Sequence, residues 1–217
     1  MQTLGKLFGS EAKIKLMRLF LLNPEHGFEV ADISRRARIP MPAARREAAA
    51  LASARFITRK ITKRPAAVSS KGKRIAAKRV PAWFLDSRFP HLESLRTLIL
   101  DTTMLKKEEL AARFKGVGKV KLLTASGIFT RDPESRLDLM IVGNNLKKGA
   151  IDTAVRNLEA EIGKELAYAV FETADFVYRL GMYDKLVRDV IDFPHETIID
   201  AGLFKAELAP KAWTSIG

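Results

Sequence analysis

Hydrophobic residues recur through the first fifty positions with the period of a helix. Ile14, Met17 and Leu21 predict a helix over 10–22, with Ser10 at its N-cap and Asn23-Pro24 as a stop. Val30, Ile33 and Ala37 predict a second helix over 30–38. Pro42, suited to a first helical turn, opens a third that continues through an alanine-rich stretch to about Ala54. The period then changes. Residues 56–63 and 73–80 are strand-like, and the segment between them holds Pro65, Ser69, Ser70 and Gly72, which predict a turn. Residues 81–90 carry Trp83, Phe84 and Phe89 and are expected to form a packed connector.

Beyond residue 90 the pattern alternates. Helices are expected over 92–101 and 106–114, and strands over 119–125 and 137–142. A long helix over 146–163, a strand over 166–172, a helix over 173–192 and a short strand over 197–200 follow. Alternating strands and helices predict helices layered on a sheet. The fold class expected for the whole chain is α+β, with domains at 1–90 and 91–217.

Charge sharpens that division. The 217 residues carry a net charge of +13. Residues 1–90 hold 20 Lys and Arg against 6 Asp and Glu, a net +14, whereas residues 91–217 hold 18 against 19, a net −1. Between Glu47 and Asp86 there is no acidic residue, yet there are ten basic ones. Concentrated like charge destabilises a compact surface by self-repulsion, so a one-signed stretch of this length points to a polyanionic partner. A membrane surface is a poorer match, because the stretch lacks the broad apolar face of an interfacial helix. The chain contains no cysteine, which excludes disulfides, thiol catalysis and cysteine-ligated zinc. No apolar run reaches the length of a membrane span, and the N-terminus lacks the order of a secretory leader. A cytoplasmic location is expected.

Three helices followed by a basic hairpin resemble a winged helix-turn-helix domain. The resemblance is carried by residues 28–37, the turn Arg38-Ile39-Pro40, residues 41–47, and Leu51 with Phe56-Ile57; Arg55 occupies a place where many relatives have glycine. The resemblance implies that the third helix enters the major groove of double-stranded DNA while the hairpin touches the flanking backbone. A helix fits that groove, and arginine can bond two acceptors on guanine at once. Arg45 and Arg46, in the first turns of the third helix, are therefore the candidates for base reading, with Met41 just before that helix as a further nucleic-acid-binding candidate. Arg59, Lys60, Lys63, Arg64, Lys71, Lys73 and Arg74 of the hairpin are candidates for phosphate contacts. Arg35 and Arg36 end a helix, where they serve either DNA or the helix dipole.

Residues 119–143 resemble the start of the nucleotidyltransferase fold shared by DNA polymerase β and the minimal nucleotidyltransferases. In that family a strand ends in Gly-Ser, and Asp-x-Asp on the next strand binds catalytic magnesium. Two oxygen-ligated metals need both carboxylates. Here the first strand ends in Ala125-Ser126-Gly127, Arg136 takes the place of the first aspartate, and Asp138 alone remains. A guanidinium where a divalent cation should sit turns attraction into repulsion. The resemblance thus implies a catalytically silent domain without metal or cofactor, in which Ser126, Gly127, Arg131, Arg136 and Asp138 mark a vestigial nucleotide site. Asp138 is read as capping a turn or pairing with Arg136. His26, His91 and His195 are scattered, with no partner at metal-ligand spacing.

The expected function is a DNA-binding transcriptional regulator and not an enzyme, its near-neutral second domain serving dimerisation or effector sensing. The alternatives are an active magnesium-dependent nucleotidyltransferase acting on RNA or protein, and an RNA-binding module.

Overall fold

Helix formation begins where a capping group meets an apolar stripe. Helix α1 takes Gln2–Leu7 and α2 takes Glu11–Leu21, with Ser10 accepting a hydrogen bond from the Lys13 amide at 3.2 Å. That bond satisfies an amide which the first turn cannot pair internally. Leu16, Met17, Leu19, Phe20 and Leu21 are all buried, so α2 is apolar on several sides and forms the centre of a core. Helices α3 (Val30–Ala37) and α4 (Met41–Ser53) join it through Ile33, Ala37, Ala44, Ala48 and Leu51. The computed structural model describes residues 2–64, 67–68, 74–101 and 106–203. Lys71 and Lys73, with the turn residues Pro65, Ser69, Ser70 and Gly72, lie outside the described residues.

Helices α3 and α4 end alike. Arg38 (φ 50°) and Arg55 (φ 59°) both take the left-handed backbone conformation. The next amide then reaches five residues back, Ile39 to the Ser34 carbonyl at 3.1 Å and Phe56 to the Leu51 carbonyl at 2.9 Å. This closure satisfies carbonyls at the helix end and usually employs glycine, because a Cβ in that conformation costs about 1–2 kcal/mol. The arginine at position 55 thus occupies a glycine-type corner.

After that corner the chain reverses into a hairpin. Strands β1 (Ile57–Arg64) and β4 (Lys78–Leu85) pair antiparallel from Ile57 opposite Leu85 to Arg64 opposite Lys78. The short strands β2 (Ala67–Val68) and β3 (Arg74–Ile75) pair with each other between them in sequence. Phe28 adds a bridge to Trp83, exchanging backbone hydrogen bonds of 2.9 and 2.8 Å. Gly27, just before that bridge, lies against the Phe84 ring with no room for a Cβ. Helix α5 (Leu92–Asp101) buries Ile99 in the same core as Phe20 and Phe28.

The chain divides into two compact units. The first comprises Met1–Met104 together with Arg156–Glu165, so α5 lies with the N-terminal helices and not beyond a boundary near residue 90. Its polar centre is Arg18, only 1% exposed. The guanidinium donates to the carbonyls of Ile99 (3.4 Å) and Glu161 (2.9 Å), and Asn23 donates to the carbonyl of Gly163 at 2.8 Å. These are carbonyls at or just past helix ends, where the negative end of the helix dipole favours a cation. Burial holds the Arg18 pKa below the ordinary arginine value, partly offset by the nearby Glu161 charge.

The second unit comprises Leu105–Val155 and Leu166–Gly217. Helix α6 (Lys107–Arg113) precedes β5 (Lys119–Ala125) and β6 (Leu139–Asn144), which pair antiparallel. Helix α7 (Lys148–Ile162) then leads to β7 (Tyr168–Glu172), parallel to β6. Helices α8 (Thr173–Gly181) and α9 (Lys185–Asp192) precede β8 (Glu196–Asp200), which pairs antiparallel with β5. The sheet order is β7-β6-β5-β8. Leu139 to Gly143 of the inner strand β6 are all buried, as a continuous apolar run in a doubly covered strand requires. The single helix expected over 173–192 is two helices. Tyr183 turns left-handed (φ 57°), and Asp184 caps α9 by accepting from the amides of Leu186 (3.0 Å) and Val187 (3.2 Å).

Candidate nucleic-acid interface

The inner face of α4 is built from Ala44, Glu47, Ala48 and Leu51, all buried. The exposed residues are Pro42, Arg45, Arg46, Ala49, Ala50 and Ser53. Two guanidiniums therefore stand on a helix face whose other exposed side chains are all short: a proline ring, two methyl groups and the Ser53 hydroxyl. Met41, at the start of the same helix, is half-buried. Arg46 Nη2 donates to Glu47 Oε1 at 3.2 Å, while Arg45 has no partner among the described residues.

The hairpin continues the positive surface. Arg59, Lys60, Lys63, Lys78 and Arg79 are exposed. The register sets Lys63 directly opposite Arg79 and Arg64 directly opposite Lys78. Like charges facing one another across a ladder are destabilising, and Lys63 against Arg79 is such a rung. Lys60 lies over the Phe84 ring at 5.5 Å, its ammonium held by the ring face. Arg74 falls in β3, opposite Val68. Lys78 and Arg79 belong to the acid-free run of the sequence, but their facing partners depend on a pairing between distant residues.

The two arginines at the end of α3 have separate fates. Arg35 is exposed and pairs with Asp32 at 2.7 Å, one helical turn away. Arg36 is three-quarters covered, pairs with Glu165 at 2.6 Å and lies 5.2 Å from the Phe28 ring centre. Its charge is thus used within the first unit. The aromatic residues of the connector pack in the same way: Phe89 meets Phe56 edge to face at 5.5 Å.

In the second unit, the residues singled out around Asp138 form a hydrogen-bonded loop. Asp138 Oδ1 accepts from the Ile128 amide and Oδ2 from the Ala167 amide, both at 2.8 Å. Its backbone carbonyl accepts from the Ser126 amide at 2.9 Å. The Ser126 side chain is buried and donates to the Leu137 carbonyl at 2.6 Å. Gly127 (φ 55°) passes so near the Asp138 carboxylate that a Cβ would collide with it. Arg131 turns left-handed at φ 58° in the following loop. Arg136 points elsewhere, pairing with Asp189 at 2.8 Å. Of the two roles read for Asp138, it accepts backbone amides as a cap would, whereas Arg136 pairs with Asp189 instead. Among the described residues, no three His, Asp or Glu side chains converge as a metal-binding group. No helix among them is long and apolar enough to cross a membrane.

Comparison with protein-family models, with curated proteins and with solved structures finds no match.

Proposed function

We propose that the chain is a DNA-binding transcriptional regulator whose first unit is a winged helix-turn-helix domain. Helix α4 enters the major groove of double-stranded DNA, Arg45 and Arg46 approach base edges, and the β1–β4 hairpin lies along phosphates. One observation carries this reading: a cation-against-cation rung in the hairpin, Lys63 opposite Arg79, within a stretch that has no acidic residue between Glu47 and Asp86. Such a rung disfavours the free fold and is relieved when a polyanion lies across it. The bare alanine face of α4 supports a close approach to the groove floor, since short side chains do not hold the helix away from the bases.

The second unit, in this reading, is nucleotidyltransferase-like and catalytically silent, and serves dimerisation or effector sensing. Both oxygens of Asp138 are engaged by backbone amides, and the residue two positions earlier is an arginine paired with Asp189. A carboxylate so occupied is poorly suited to holding a magnesium ion.

The test is a salt titration of binding to a random duplex pool. With on the order of six phosphates neutralised, affinity falls roughly a thousandfold between 50 and 200 mM salt. Enrichment of a palindrome would set the symmetry of the bound species. A salt-independent affinity would overturn the reading, and so would a structured RNA that competes better than every duplex. Magnesium-dependent nucleotide transfer that Asp138→Ala abolishes would overturn the silent assignment.

A further inference from the structure

We propose that Glu47 is a positioning residue, which fixes the direction in which Arg46 meets DNA and so sets part of the sequence preference. The assignment rests on the DNA-binding reading above. Glu47 is the single carboxylate of α4, and its side chain is 6% exposed. A buried carboxylate is costly unless it is paired and hydrogen-bonded. Two groups answer it: Ser10 Oγ donates at 3.0 Å and Arg46 Nη2 at 3.2 Å, both to Oε1.

The serine is itself constrained. Its oxygen accepts from the Lys13 amide at 3.2 Å as the cap of α2, and its one proton is directed to Glu47. The acceptor that Arg46 meets is thus tied to the start of another helix. Successive residues on a helix do not face each other, so Arg46 reaches Glu47 only by folding its side chain across the helix surface. The Arg46 side chain is nonetheless 73% exposed. One of its five N–H donors is engaged inward, which leaves others for an incoming acceptor.

Arg46 is therefore exposed and held at once, whereas Arg45 beside it is exposed and has no partner among the described residues. A guanidinium ordered before contact loses less rotamer freedom on binding, and a two-pronged contact tolerates only a narrow range of directions. Glu47 supplies that order without touching DNA. Being one negative charge beneath a positive face, it also lowers attraction to every sequence equally. These two effects have opposite signs, which separates positioning from a merely structural role.

The experiment measures the affinity of the full chain for its selected duplex and for a scrambled duplex at fixed salt. Glu47→Gln keeps the side-chain shape and an oxygen for Ser10 but removes the charge that holds Arg46. The ratio of selected to scrambled affinity is expected to fall roughly tenfold, the discrimination of one good base contact. Affinity for the scrambled duplex is expected to rise, because the face gains net positive charge. Arg46→Ala should lower the same ratio, and adding Glu47→Gln to it should change the ratio no further. Arg46→Lys, which keeps the charge but not the planar fork, should lose the preference while retaining the salt slope; it decides the matter if Glu47→Gln does not fold.

An unchanged ratio in Glu47→Gln, parallel loss on both duplexes, additive effects of the two substitutions, or full preference in Arg46→Lys would overturn the assignment. If the wild-type chain enriches no duplex at all, the DNA-binding reading fails with it. If the wild type enriches a duplex that Glu47→Gln reads equally well, only the positioning role falls.

Discussion

The two units treat their surface cations differently. In the second, charges meet opposites: Arg136 with Asp189, Arg179 with Asp175 and Asp184, and Arg188 with Asp192. The first unit makes such pairs outside its hairpin, as Arg35 with Asp32 and Arg88 with Asp86, but within the hairpin Lys63 faces Arg79. Surface ion pairs contribute little stability each, so the second unit is not much strengthened by its pairs. Their presence shows instead that a mixed surface is readily made from this chain's residues. Where the hairpin sets Lys63 against Arg79 instead, the proposed explanation is a counter-charge supplied by another molecule.

Arg18 gives the largest expected effect and tests the limit of that contrast, because it is a first-unit cation used entirely for folding. Arg18→Met removes the guanidinium that donates to the Ile99 carbonyl, in a buried bond, and to the Glu161 carbonyl, in a partly buried one. Chemical denaturation should show a loss of about 3 kcal/mol, the loss of two hydrogen bonds from a charged donor. A loss below 1 kcal/mol would mean that water replaces the guanidinium there.

Asp138 asks the matching question of the second unit. Asp138→Ala strips the partner from the Ile128 and Ala167 amides, and a destabilisation of about 2 kcal/mol should appear in the same measurement. Nearly neutral behaviour would argue against a stapling role and reopen the residue to chemistry.

Lys63→Glu sharpens the comparison directly by giving the hairpin one of the opposite-sign rungs it lacks. The free protein should gain about 0.5 kcal/mol, since a Glu would then face Arg79. Binding to duplex DNA should weaken on the order of tenfold at moderate salt. Stability and binding moving in the same direction would contradict the polyanion reading.

The smallest effect is one of pH. The amide of Val187 foremost, with that of Leu186 and the Arg179 guanidinium, holds the Asp184 carboxyl below the ordinary carboxylate range. A depressed folded pKa adds stability above the unfolded value, about 3.9, and that addition is lost as pH falls through the folded value. Asp184→Asn keeps a capping oxygen but cannot titrate. Thermal unfolding of wild type and variant should therefore converge as pH is lowered from 5 towards 2.

Much of the α+β succession could be read from periodicity, because its main helices and strands carry their own apolar patterns. Three features could not. Helix α1 is six residues long, too short to display a period. The break between α8 and α9 hides because Phe176, Leu180, Val187 and Val190 are all buried on both sides of it, so burial spacing alone suggests one continuous helix. Only Gly181 and the capping Asp184 betray it. The opposition of Lys63 and Arg79 needed the strand register, which is a property of two distant segments and not of either one. Glu47 was invisible for another reason. A lone acid among arginines on an alanine-rich helix reads as solvated, and its burial depends on Ser10, 37 residues away in the chain. Arg36 illustrates the converse, a basic residue in a basic region that the fold uses for Glu165 and Phe28.

The inclusion of Arg156–Glu165 in the first unit bears on how this protein can be rearranged. A fragment ending at residue 104 would carry Arg18 without the Glu161 carbonyl and Asn23 without that of Gly163. The N-terminal portion is thus no free-standing cassette, and grafting it onto another chain, or replacing everything after it, would have to bring those ten residues along.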